Sequence, residues 1–159
     1  MPRDLLNKLL NAFILKIQGG MLSNNEVLVF LELYVAMVRR NEDARNNTDS
    51  VLLVQMVHQS LEAHGRYQQF SLHEIAGIIW VFANLGTLTA NDADSRERAG
   101  MVDSLLKVKF QQLIDEFVPR KEGEEDKPYS QVNKYDMDVI MHYFSAGMRK
   151  DTRRLAAKV

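Results

Sequence analysis

The chain has 159 residues, of which 46% are apolar and 26% charged, and a formal net charge of −1. That length allows one domain with a real core. The charge balance supplies no overall positive field to gather nucleic acid, and the absence of cysteine excludes disulfide frames and thiolate metal sites. Three prolines and eight glycines favour helix over a turn-rich β architecture.

In chain order, residues 4–18 carry the apolar spacing of an amphipathic helix that ends at Gly19–Gly20. The opening MPRDLLNKLLNAFILKIQGG is short of the Arg and Ser of a transit peptide, contains Asp4 and is followed by no signal-cleavage pattern. The longest apolar run, Val27 to Val38, is interrupted by Glu32 and is too short to cross a bilayer, so no membrane span is expected. A capped helix is predicted over 23–38 and a second over 51–65, with Gly65 as its C-terminal glycine. Next come a nearly all-round apolar helix at 71–86, a helix at 101–117 closed by Pro119, and a capped helix at 133–147. The basic stretch 150–159 stands where a further helix should begin. The intervening segments 41–50, 88–100 and 120–131 read as polar, mixed-charge and acidic loops respectively.

Three of these helices open alike. LSNNEVLVFLELY from Leu22, FSLHEIAGIIWVF from Phe70 and VNKYDMDVIMHYF from Val132 each place an apolar residue before a cap residue, Ser23, Ser71 or Asn133. An acid follows three positions later: Glu26, Glu74 or Asp136. The first two are capping boxes and the third a close variant, in which the acid is expected to reach back to the cap. Behind the caps, Val27, Phe30, Leu31 and Tyr34 align with Ile75, Ile78, Ile79 and Phe82, and with Met137, Ile140, Met141 and Phe144. Val29 and Leu33, then Val81 and Ala83, extend the apolar surface round the first two helices, which predicts burial on more than one side. The fold expected is all-α: an α-solenoid of stacked antiparallel helix pairs in one domain, 1–159. Its parts are the second helix of a preceding repeat at 1–21, repeats at 22–69 and 70–131, and a partial repeat at 132–159. That makes about three repeats that start and stop in mid-array, as expected of a fragment or a truncated member of a longer solenoid.

No reaction chemistry stands out. His73–Glu74 opens a zinc-protease pattern, but Gly77 occupies the position of the second histidine. Asp92, Asp94 and Asp103 resemble part of a calcium loop, yet Arg96 and Glu97 stand where an oxygen ligand and glycine are needed. Histidines 58, 64, 73 and 142 are scattered along the chain, and no phosphate-binding glycine loop, nucleophile elbow or kinase signature occurs. The reading is therefore no enzyme, no cofactor and no metal. Asn46-Asn47-Thr48 fits a glycosylation acceptor and reads instead as a loop.

Ile75, Ala76, Ile79, Trp80, Phe82, Ala83, Leu85 and Gly86, preceded by the FSLHE cap, resemble the first helix of organellar helical repeats. These are the octotricopeptide and heptatricopeptide repeats and the related repeats of FAST-kinase-like proteins. The resemblance implies a role in mitochondrial or chloroplast RNA metabolism, a mitochondrial location, and partners among the proteins or RNA of an organellar ribonucleoprotein. It implies docking of other proteins or gripping of RNA, and the slightly acidic charge favours docking. Two features are candidates for binding. One is the basic run with Arg149, Lys150, Arg153, Arg154 and Lys158, echoed more weakly by Arg39, Arg40 and Arg45. The other is Trp80, about 140° round the helix from Ile75, as packing residue or aromatic platform. Exposed ends of an open array also suggest a dimer.

Overall fold

The computed structural model describes residues 3–40, 48–88, 92–116 and 133–159. Among these it is all-helical: α1 (Arg3–Gln18), α2 (Asn24–Arg40), α3 (Thr48–Ala63), α4 (Leu72–Asn84), α5 (Ala93–Asp115), α6 (Lys134–Phe144) and α7 (Lys150–Lys158). Short 3₁₀ turns at Arg66–Gln69 and Ser145–Gly147 lead into α4 and α7. No described helix is long and apolar enough to cross a membrane.

The ends of these helices follow from local chemistry. Ser23 and Glu26 exchange bonds between side chains and backbone N–H groups at 3.1 and 3.2 Å. Ser71 and Glu74 do the same at 3.0 and 3.1 Å, so both predicted capping boxes are formed. Two helices end in a Schellman motif. At Gly86 (φ 70°) the Gly86 N–H bonds Ala83 O and the Thr87 N–H bonds Phe82 O. At Gly20 (φ 67°) the equivalent bonds reach Ile17 and Lys16. A side chain at either position would be forced into left-handed backbone.

The helices pack in two sets. α4 lies against α2 on one side and α6 on the other, and also touches α5. Meanwhile α1 packs on α3, and α5 on α7. The Ser60 hydroxyl donates to Ile17 O at 3.2 Å, fixing α3 to the end of α1. Arg66 donates to Asn24 Oδ1 at 2.9 Å and to Leu22 O, tying the turn before α4 to the start of α2. α4 explains its own composition: Leu72, Ile75, Ala76, Ile78, Ile79, Val81 and Phe82 are all buried, because neighbours cover it on several sides.

Four expectations change. α5 begins at Ala93, eight residues before the predicted start, because Asp92 caps it by accepting from the Ser95 N–H at 2.8 Å. Much of the segment read as a mixed-charge loop is therefore helix, and one of its charges, Arg98, is buried inside. Asp136 does not reach back to its cap. Asn133 accepts from the Tyr135 N–H at 2.9 Å, while the Asp136 carboxylate turns inward to His73. Aspartate is one methylene shorter than the glutamate of the other two caps, and α4 offers a nearer partner. Val29 and Leu33 remain 47% and 59% exposed, so α2 is covered on fewer sides than its composition suggested. Met141 is likewise exposed on α6, for the same reason: both helices flank the layer that α4 centres.

Candidate functional site

A groove of about 360 Å³ runs across α2, α4 and α6. α2 contributes Asn25, Leu28, Val29 and Glu32; α4 contributes His73, Ala76, Gly77 and Trp80; α6 contributes Tyr135, Asp136 and Val139. The residues recur at three- and four-residue intervals, so each helix presents one stripe to it. Its floor is set by Gly77. A β-carbon there would stand 3.3 Å from Leu28 Cδ2, so the bare backbone lets Leu28 approach α4 closely.

The walls are polar and acidic. Buried Asp136 accepts from or pairs with His73 Nδ1 at 2.8 Å, although most of the His73 side chain remains exposed. This bond joins α6 to α4 at one end of the groove. Glu32 lies on the opposite wall, its Oε1 3.7 Å from where a Gly77 β-carbon would be. Trp80 is half-buried, and the Arg39 guanidinium carbon sits 5.7 Å from its ring centroid, within cation–π range. Tyr135 stands largely exposed at the rim. No lysine or arginine is among the lining residues. The groove thus combines an apolar floor, two aromatic rings and the Glu32 carboxylate, while the Asp136 carboxylate is engaged by His73.

Of the candidates read from sequence, Trp80 lies in this groove and Arg39 beside it. The C-terminal basic residues are elsewhere. Arg149, Lys150, Arg153, Arg154 and Lys158 are exposed on and beside α7, which packs on α5. Part of this run is used to seat α7: the Arg149 N–H donates to buried Asp103 at 2.9 Å, and the Arg153 guanidinium donates to Ser145 O at 2.8 Å. Asp151 pairs with Lys107 at 3.8 Å. Arg45, the Arg40 side chain and the acidic segment 120–131 lie outside the described residues.

Glu32, His73, Tyr135 and Asp136 were not singled out for binding from sequence. Glu32 and Trp80 do occupy equivalent positions after their caps, which was a legible hint; His142, the third equivalent, is exposed but absent from the groove lining. The His73–Asp136 bond spans 63 residues and left no local trace.

A second, more apolar groove of about 430 Å³ lies between α1 and α2, lined among others by Leu9, Phe13, Phe30, Val29 and Leu33. Its base is the stacked pair Phe13–Phe30, with ring centroids 3.8 Å apart.

No protein-family model, no curated protein and no solved structure matches the chain.

Proposed function

We propose that this chain is a non-enzymatic helical-repeat adaptor, an α-solenoid segment that docks a protein partner along the groove over α2, α4 and α6. The observation that carries this reading is the lining: an apolar floor, aromatic rims and the Glu32 carboxylate, with no Lys or Arg among the described lining residues. Such a surface repels a phosphate backbone and suits a polypeptide segment bearing Lys or Arg beside aliphatic anchors. The stacked-repeat reading is supported by the order α2–α4–α6, by the matching caps of α2 and α4, and by α1, α3, α5 and α7 packing outside that order.

The narrower proposal is an adaptor in a mitochondrial ribonucleoprotein, engaged in RNA processing, editing, stability or mitochondrial translation. It rests on the resemblance of residues 70–86 to organellar repeats. The alternative, direct binding of single-stranded RNA, is favoured by the exposed cations of α7.

One experiment separates the two. The full chain is presented to a displayed library of random peptides and, separately, to an unstructured RNA over a range of salt concentrations. The adaptor reading expects peptides with basic and aliphatic residues to be enriched, and expects binding to be lost in Gly77→Met, which fills the groove, and reduced in Trp80→Ala. Salt-sensitive RNA binding, abolished by charge reversal at Arg149, Arg153 and Arg154 and indifferent to Gly77→Met, would replace it with the RNA reading. Affinity purification from the source cell, with and without nuclease, tests the ribonucleoprotein setting.

A further inference from the structure

Among the described residues, His58 is a buried polar side chain that is only half satisfied. It lies on α3, 5% exposed, among core residues. Its Nδ1 is 2.9 Å from the hydroxyl of buried Tyr67, but its Nε2 makes no hydrogen bond although it is sealed from solvent. The Glu62 carboxylate stands 3.5 Å from it, too far for a good hydrogen bond, and a buried ring nitrogen left without one is costly. Glu62 on α3 and Glu97 on α5 stand beside the imidazole. The three ligating atoms all lie within 4.8 Å of one another.

We propose that His58, Glu62 and Glu97 bind a divalent transition-metal ion, zinc by preference, that clamps α3 to α5. The ligand set of one imidazole and two carboxylates suits zinc better than magnesium or calcium, which take oxygen ligands almost alone. Geometry agrees. His58 Nε2 and Glu62 Oε2 are 3.5 Å apart. Two ligands of one tetrahedral ion with bonds of about 2.0–2.1 Å stand roughly 3.3–3.4 Å apart. Glu97 is exposed, so its side chain can close the remaining distance by rotation. A water completes four-fold coordination.

The surroundings prepare His58 for this task. For Nε2 to present its lone pair, Nδ1 must carry the proton and donate it to the Tyr67 oxygen. That is the usual way a second residue sets the tautomer of a ligating histidine. The Arg98 guanidinium is engaged elsewhere, donating to Thr87 O at 2.9 Å and to Ser95 Oγ at 3.3 Å. Nor do α3 and α5 appear among the extensively packed helix pairs of the described residues, so a bridging ion would strengthen a thin junction.

The test uses the untagged full chain, stripped of metal by chelation and titrated with Co²⁺ as a visible probe and with Zn²⁺ by calorimetry. The expected result is one ion per chain, a Co²⁺ absorption band displaced by Zn²⁺, and a rise in melting temperature with Zn²⁺. Glu97→Gln and Glu62→Gln, both at exposed positions, should each weaken binding by at least about tenfold while leaving the circular dichroism unchanged. Tyr67→Phe should weaken it by about tenfold through misorientation of the ring. Lack of a Co²⁺ band up to millimolar metal would overturn the proposal. So would binding that Glu97→Gln leaves intact, since the ion would then sit on an exposed histidine such as His64 or His142.

Discussion

At the scale of single residues, Arg98 shows how a charge can be part of a core. Its guanidinium, 2% exposed, spends its donors on Thr87 O and Ser95 Oγ, and Thr87 in turn donates to Phe82 O at 3.0 Å. The network welds the end of α4 to the start of α5. Arg98→Ala is expected to destabilise by about 3–5 kcal/mol, because it leaves those acceptors dry and a cavity beside them. Urea unfolding monitored at 222 nm measures the loss, and Arg98→Lys should recover little of it for want of the planar fork. Asp92 makes the pH argument. The Ser95 N–H, then its hydroxyl, hold the Asp92 carboxyl below its ordinary value of 3.8, and Ser23 does the same for Glu26. A carboxyl depressed in the fold contributes stability that is present above its unfolded pKa and is lost as pH falls through the folded one. Melting temperature should therefore drop as pH is lowered from about 5 towards 2. Asp92→Asn keeps the cap, because asparagine caps as well as aspartate. It should leave melting at neutral pH nearly unchanged while flattening that slope.

Elements whose signals were local could be read directly from the residues. The boxes at Ser23 and Ser71 formed, and the expected glycine stop at Gly20 is a Schellman end. Ser71→Ala is expected to cost about 1 kcal/mol in urea unfolding, since α4 loses its only side-chain cap at the centre of the molecule. What escaped the sequence depended on tertiary partners. The start of α5, ADSRERAG, carries few apolar residues to mark a helical face, so periodicity was silent there, and the Asp92 cap passed for part of a failed calcium loop. The inward turn of Asp136 required α4 to be in place. The groove was half legible, through Trp80, because aromatic identity is visible in one dimension whereas convergence of three helices is not. His58 and Glu62 stood one helical turn apart in plain view, but Glu97 joins them only through folding.

At the scale of the whole molecule, contacts decrease outward from α4. It is flanked by α2, α6 and α5, whereas α1 meets chiefly α3 and α7 chiefly α5. Amide hydrogen exchange should accordingly be slowest in α4 and fastest in α1 and α7, and a uniform rate across all helices would show that the layers do not open from their edges. The flank of α1 and α2 leaves Leu9, Val29 and Leu33 in water over the Phe13–Phe30 stack. An apolar strip of this kind favours self-association. Sedimentation velocity should show a concentration-dependent larger species, and Leu33→Glu, at an exposed site, should remove it without loss of helicity.

Gly77 gives the receiving surface its depth by what it lacks. A single hydrogen where other residues carry a methyl lets Leu28 stand close to the α4 backbone, with Glu32 alongside. On the proposed reading, specificity in such a surface is written partly by a position that brings no side chain to it. Its loss would alter who can enter while every contacting side chain stayed the same.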